Sequence, residues 1–122
     1  MPLNNMKCIF IVEDDPSTKQ LLKTLLEIEN FNIITPDITN IDALINSIQQ
    51  NKPDYILMDV HMKNINGIDI LKKIRSIKDL SFIKILITSG IDYEDECIKN
   101  GANGFMLKPY IPNELIQWFK TM

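Results

Sequence analysis

The segment that most restricts how this chain can fold is Tyr55–Asp59, a short apolar run that ends in a carboxylate. Pro53-Asp54 precede the run and a polar turn follows it. A run of this length between such borders predicts a strand that is buried on both faces. Asp59 would then stand at the carboxyl end of the strand, and in open parallel α/β sheets ligands bind at that edge. We therefore expect the functional site to surround Asp59.

Apolar runs of strand length alternate with helical patterns along the whole chain. The other predicted strands are Cys8–Val12, 31–35, 83–87 and Gly104–Leu107. The predicted helices are 16–29, one that is capped by Thr39 or Asn40 and ends before Lys52, 68–77, 93–99, and one that begins at Pro112. The apolar stripe of the first helix consists of Leu21, Leu22, Leu25, Leu26 and Ile28. This alternation implies βαβ units with right-handed crossovers, and so a parallel sheet covered by helices on both faces.

Length and charge restrict the class of protein. The 122 residues predict a single domain, 1–122, with its core at about 7–121. A net charge of −3 argues against a broad nucleic-acid surface and against a polybasic membrane patch. No apolar run is long enough to span a bilayer, and the N-terminus lacks a secretory signal. Cys8 and Cys97 lack the spacing of metal ligands, so we expect reduced thiols in a cytoplasmic protein.

Polar side chains follow several of the predicted strands, and their combination predicts a particular reaction. They are Glu13 and Asp14 after the first strand, Asp59 after the third, Thr88 after the fourth and Lys108 after the fifth. Three carboxylates held close together repel one another, and a divalent cation relieves that conflict. Oxygen ligands with open positions suit Mg²⁺, while Lys108 adds a second positive charge and Thr88 a hydroxyl donor. This set predicts the transfer of a phosphoryl group to a carboxylate.

With these motifs, the chain resembles the receiver domain of two-component response regulators over nearly its whole length. Further matches are Ser89 beside Thr88, Pro109-Tyr110 after Lys108, and Gly67 and Gly101. The resemblance implies a flavodoxin-like fold with strand order 2-1-3-4-5 and five helices. It also implies that Asp59 is phosphorylated by a histidine kinase or a histidine phosphotransfer protein, in a reaction that needs Mg²⁺ or Mn²⁺.

The resemblance also implies roles for individual residues. Asp14, Asp59 and the backbone carbonyl of His61 would hold the metal, with Glu13 acting through a water molecule. Thr88 and Phe105 would form the switch that changes the output face. The chain departs from the family at Lys63, where the family usually has proline. It departs again between Thr88 and Gly101, where only twelve residues intervene, so that either the fourth helix or the loop before it is shortened.

Other interpretations compete with this one. Asp14 and Asp15 could be helix-terminal acids, Thr88 or Ser89 could cap the fourth helix, and Phe105 could be a core residue. A metal-dependent phosphohydrolase with Asp59 as nucleophile is less favoured because His61 stands where such enzymes carry a second aspartate. A flavin-binding module is disfavoured because acids follow the first strand. A phosphate-independent receiver-like interaction module is disfavoured by the complete acidic set.

The sequence also leads to expectations about partners. No output domain is recognisable, so we expect either a stand-alone switch or the receiver of a longer regulator or hybrid kinase, with an unknown downstream protein. We expect no direct binding to nucleic acid or membranes. Because the start of the fourth helix is acidic, two copies of that face would repel each other. We therefore expect a monomer, or a dimer formed through another face.

Overall fold

The computed structural model describes residues 6–122, so the first five residues of the predicted domain lie outside it. Strands β1 to β5 are Cys8–Val12, Asn32–Ile34, Tyr55–Asp59, Lys84–Ser89 and Gly104–Leu107. Helices α1 to α5 are Pro16–Ile28, Ile41–Asn51, Gly67–Arg75, Glu94–Lys99 and Pro112–Thr121, and a 3₁₀ turn covers Lys78–Leu80. The strands form one sheet in the order β2-β1-β3-β4-β5, and every pair is parallel. The predicted fold class and strand order are confirmed.

The two faces of the sheet bury two separate apolar clusters. α1 and α5 cover one face, where Leu22 and Leu26 of α1 pack with Leu115 and Phe119 of α5. α2, α3 and α4 cover the other face, and Cys97 of α4 belongs to that cluster. Every residue of β3 is buried, as its uniformly apolar sequence predicts for the central strand. None of the helices in the described part of the chain has the length and apolar character that crossing a membrane requires.

Short polar side chains begin three of the helices. Asp15 caps α1 by accepting a hydrogen bond from the Thr18 N–H at 2.9 Å, and Pro16 occupies the first turn. Asn40, one of the two predicted candidates, caps α2. Asn66 caps α3. α4 has no side-chain cap; Tyr93 stands at its start, so neither Thr88 nor Ser89 caps it.

Several element boundaries differ from the sequence prediction. β4 continues through Thr88 and Ser89 because β5 pairs with it as far as Ser89 and Leu107. α3 ends at Arg75, and Ile77 lies beyond it, before the 3₁₀ turn. The apolar stripe of α1 is only partly buried: Leu21 and Ile28 are 57% and 68% exposed.

Arg75 forms hydrogen bonds with several segments at the end of the sheet that lies away from Asp59. Its Nε donates to the Gly101 carbonyl at 2.9 Å, and its Nη2 donates to the Ile83 carbonyl at 2.8 Å and to Asn103 Oδ1 at 2.9 Å. The same Asn103 oxygen accepts from the Ile85 N–H at 2.8 Å. Burial lowers the pKa of Arg75. The arginine therefore joins α3, β4 and the turn after α4, where Gly101 has the positive φ of 103° that favours glycine.

Candidate functional site

The carboxyl ends of β1, β3 and β5 bring four charged side chains together. Glu13, Asp14 and Asp59 each offer a carboxylate oxygen, and these oxygens all lie within 4.8 Å of one another. Lys108 Nζ lies 3.3 Å from Asp59 Oδ1 and 3.8 Å from Glu13 Oε1. The residues converge because β1 and β3 are neighbours in a parallel sheet, whose strands all end at one edge.

Burial makes it costly to keep the acids of this cluster charged. Glu13 and Asp59 are only 5% and 8% exposed, whereas Asp14 is exposed. Burial raises the pKa of Glu13, the Asp15 N–H opposes that rise with a hydrogen bond of 3.0 Å, and the charge of Asp59 adds to it. Lys108 lowers the Glu13 pKa and Asp14 raises it by smaller amounts. The single lysine thus leaves an excess of negative charge on the acids.

The donor set of this cluster fits a hard divalent cation. All three groups are carboxylates, and Mg²⁺ prefers oxygen ligands while retaining several waters. The exposure of Asp14 leaves one side of the cluster open to solvent. His61, whose backbone carbonyl is predicted to be a ligand beside Asp14 and Asp59, is exposed in the loop that follows β3. Its ring lies against Tyr93 with centroids 5.6 Å apart.

Thr88 and Phe105 occupy neighbouring strands beside the acids. Thr88 is buried in β4 and is the register partner of Asp59. Phe105 in β5 is the register partner of Ile87, and it is half-buried against the core beneath α2 to α4. The fold therefore places the predicted switch residues one register step apart on adjacent strands.

Gly67 allows the loop after β3 to fold back closely onto the acidic site. Its N–H donates to the Val60 carbonyl at 2.8 Å, and the Val60 N–H donates to the Thr88 carbonyl at 3.0 Å. A Cβ atom on Gly67 would collide with the carbonyl oxygen of Asp59. This close approach explains why glycine stands there, although the Asn66-Gly67 turn signal alone showed only that the chain would bend.

Sequence reasoning noted Tyr110 and Lys63 but predicted no contact of either residue with the acids. Tyr110 is half-buried, and its pKa is raised by burial first and then by the charges of Glu13 and Asp59. The main-chain N–H of Lys63 donates to Asp14 Oδ2 at 2.6 Å. The absence of proline at position 63 shows that an N–H is present there, but the residue types do not show that its acceptor is Asp14, 49 residues away.

Comparison with known protein families agrees with this geometry. The family model described as the response regulator receiver domain matches residues 9–120, which covers the five strands except Cys8, the first residue of β1. The chain belongs to this receiver family. Its members are phosphoacceptor switches of two-component signalling rather than enzymes in the ordinary sense, and they use Mg²⁺ in phosphorylation.

Individual relatives of this receiver are bacterial proteins. The sensory transduction protein LytT of Oceanobacillus iheyensis is 37% identical over 103 residues, which cover 84% of this chain and 42% of LytT. The cell cycle transcriptional regulator CtrA of Caulobacter vibrioides is 32% identical over 109 residues, or 88% of this chain and 46% of CtrA. The chain thus spans less than half the length of both relatives. The chemotaxis protein CheY of Thermotoga maritima is 29% identical, and the match covers 91% of this chain and 92% of CheY.

Solved structures with the same fold are also receivers. The chemotaxis response regulator CheY4 of Vibrio cholerae has a TM-score of 0.84 at 22% identity, covering 96% of this chain and 98% of CheY4. The BeF₃-activated receiver domain of RstA from Klebsiella pneumoniae has a TM-score of 0.81 at 21% identity, covering 93% of this chain and 96% of the other. At these identities the likeness establishes the fold.

Proposed function

We propose that Asp59 is the phosphoacceptor of this receiver. The observation that carries the proposal is the position of its carboxylate, which is buried at the end of the central strand yet lies 3.3 Å from Lys108 Nζ and close to two further acids. In the reaction, a carboxylate oxygen of Asp59 forms a bond to phosphorus while the bond between phosphorus and a histidine nitrogen of the donor breaks. The donor imidazole retains the electron pair of the broken bond and takes up a proton.

The neighbouring residues would bind the metal and stabilise the charge on the phosphoryl group. Asp14, Asp59 and the His61 carbonyl would hold Mg²⁺ or Mn²⁺, and Glu13 would hold a metal-bound water. The bound cation would neutralise charge on the phosphoryl oxygens. Lys108, which follows the carboxyl end of β5, contributes the second positive charge, and the Thr88 hydroxyl donates a hydrogen bond to a phosphoryl oxygen. We propose no turnover of other substrates, only self-phosphorylation and self-dephosphorylation of the domain.

Phosphorylation would act on the rest of the domain through Thr88 and Phe105. A new acceptor at Asp59 draws the Thr88 hydroxyl towards it, and the space that this side chain leaves can be taken by the Phe105 ring. Such a ring with two packing positions is a two-state element biased by a local contact. Its half-buried position at the sheet edge connects the acidic site to the surface formed by α4, β5 and α5.

The donor would be a histidine kinase or a histidine phosphotransfer protein in the cytoplasm, and it must reach Asp59 from the open side of the site. Two exposed aliphatic side chains lie in segments that border this side: Leu21 in the second turn of α1 and Ile111 in the β5–α5 loop are 57% and 60% exposed. Apolar side chains in such a place suit a protein partner better than a small ion. The domain, proposed as residues 1–122, would itself bind neither nucleic acid nor membrane.

The proposal is tested by intact-mass measurement after incubation with acetyl phosphate and Mg²⁺. We expect the wild-type protein to gain the mass of one phosphoryl group and the Asp59→Asn variant to gain none. Chelation of Mg²⁺ should prevent the gain in the wild type. Asp69→Asn is a matched control, since Asp69 is an exposed acid in the first turn of α3. A phosphoryl group that still attaches to Asp59→Asn would disprove the assignment.

A further inference from the structure

A main-chain hydrogen bond joins the two loops that carry the acids. The Lys63 N–H donates to Asp14 Oδ2 at 2.6 Å, across 49 residues of sequence. Asp14 is the exposed member of the three-acid cluster, so no surrounding core holds its side chain in place. Glu13 and Asp59 carry the same charge and repel it. The Lys63 N–H therefore places a partial positive charge beside Asp14, which opposes this repulsion.

This hydrogen bond depends on the residue type at position 63. A proline has no N–H, so the residue usual in the receiver family at this position could not make the contact. The departure at Lys63 thus adds a donor to the site, in addition to the side-chain charge. Any residue other than proline would supply the same N–H. Replacing Lys63 by such a residue therefore removes the ammonium group and keeps the main-chain donor.

We propose that the Lys63 N–H is a positioning donor that holds Asp14 in place for the cation. The inference rests on the proposed role of Asp14 as a metal ligand. The N–H engages one carboxylate oxygen and leaves the other oxygen for the ion. Because this contact holds the side chain in one position, the ion does not have to order it on binding. The same contact fastens the loop 61–66 over the site.

The first test compares Mg²⁺ affinities of Lys63→Pro and Lys63→Ala by titration followed with amide NMR shifts. Loss of one charge-assisted hydrogen bond should weaken binding about three- to tenfold in Lys63→Pro. Lys63→Ala keeps the N–H and removes a positive charge, so its affinity should equal or exceed that of the wild type. In the described chain, positive φ at non-glycine residues occurs only at Asn30 and Lys52, so Lys63 does not have the positive φ that would exclude proline.

The second test uses hydrogen exchange of the Lys63 amide and does not require the proline variant to fold. In metal-free wild-type protein this amide should exchange about tenfold more slowly than in Asp14→Ala, which lacks the acceptor. Equal exchange in the two proteins would overturn the inference. So would unchanged or tighter Mg²⁺ binding in a folded Lys63→Pro, or an equal loss in Lys63→Ala.

These outcomes are separate from failure of the proposed function. If Asp14 is not a metal ligand, Asp14→Ala binds Mg²⁺ as tightly as the wild type, whatever the Lys63 variants do. If Asp14 is a ligand but its position does not depend on the Lys63 N–H, Asp14→Ala loses affinity and Lys63→Pro does not.

Discussion

Lys108 is the one cation within ion-pair distance of the buried acids, among the described residues, and its removal should destabilise the metal-free protein. Replacement by methionine keeps most of the aliphatic stem and deletes the charge. Glu13 and Asp59 would then remain buried with no positive partner. An uncompensated buried charge is costly, so the variant should lose stability at neutral pH.

The magnitude follows from the two distances. At the dielectric constant of water, Coulomb's law gives about 1.3 kcal/mol for the 3.3 Å contact with Asp59 and about 1.1 kcal/mol for the 3.8 Å contact with Glu13. Burial of the acids increases these values, whereas the one-third exposure of Lys108 and the ordering of its side chain reduce them. We expect Lys108→Met to lower the free energy of unfolding by about 1–2 kcal/mol at pH 7.

The pH dependence gives this prediction a second component. The pKa of Glu13 is already raised by burial, and Lys108 lowers it, so the variant should raise it further. The folded protein then binds this proton more tightly than the unfolded chain does. Stability contributed by the protonated form is therefore lost as the pH rises through the folded pKa. The difference between variant and wild type should be largest at pH 7 and shrink as the pH falls towards 4.

Urea denaturation with chelator at pH 7 and pH 4 measures both effects. Lys120→Met is the matched control, because Lys120 Nζ lies 2.6 Å from Glu29 Oε1 in a more exposed pair on the surface. It should cost at most about 1 kcal/mol. Adding Mg²⁺ should recover part of the stability lost in Lys108→Met, since the ion binds only the folded site. The reasoning fails if Lys108→Met matches the wild type at pH 7, or if its loss is the same at both pH values.

Four other predictions follow from the structure. Gly67→Ala should cost about 1–3 kcal/mol in urea denaturation and reduce acetyl-phosphate labelling, because its Cβ would press on the Asp59 backbone; wild-type values would contradict this. Arg75→Lys should cost about 2–4 kcal/mol because one ammonium cannot span the acceptors of Arg75, and a change below 1 kcal/mol would refute it. Beryllofluoride with Mg²⁺ should change the rotamer of Phe105, as measured by side-chain NMR, and a single buried rotamer in both states would exclude its role. Light scattering under the same conditions should show no dimer formed through α4, β5 and α5, because Asp92 and the three acids in the first turn of α4 would face like charges. A dimer abolished by substitutions on that face would overturn this.

The sequence by itself determined the alternation of strands and helices and the residues at the strand ends. These features are local: β3 is a run of five buried residues, and Asp59 is its last residue. Because parallel strands end at one edge, knowing the strand ends was enough to predict that Glu13, Asp14, Asp59 and Lys108 would meet. Asn40 and Gly101 could likewise be predicted, since a helix cap and a left-handed turn residue are chosen by a few neighbouring residues.

The tertiary structure decided whatever depends on pairing between distant segments. β4 extends through Thr88 and Ser89 because β5 supplies hydrogen-bond partners along that length. Leu21 and Ile28 fit the apolar pattern of α1 but remain exposed, because burial depends on which elements cover a helix face and not on the spacing within it. The contact of the Lys63 N–H with Asp14 belongs to the same class. A main-chain donor is common to all residues except proline, and only the folded positions of two distant loops select its partner.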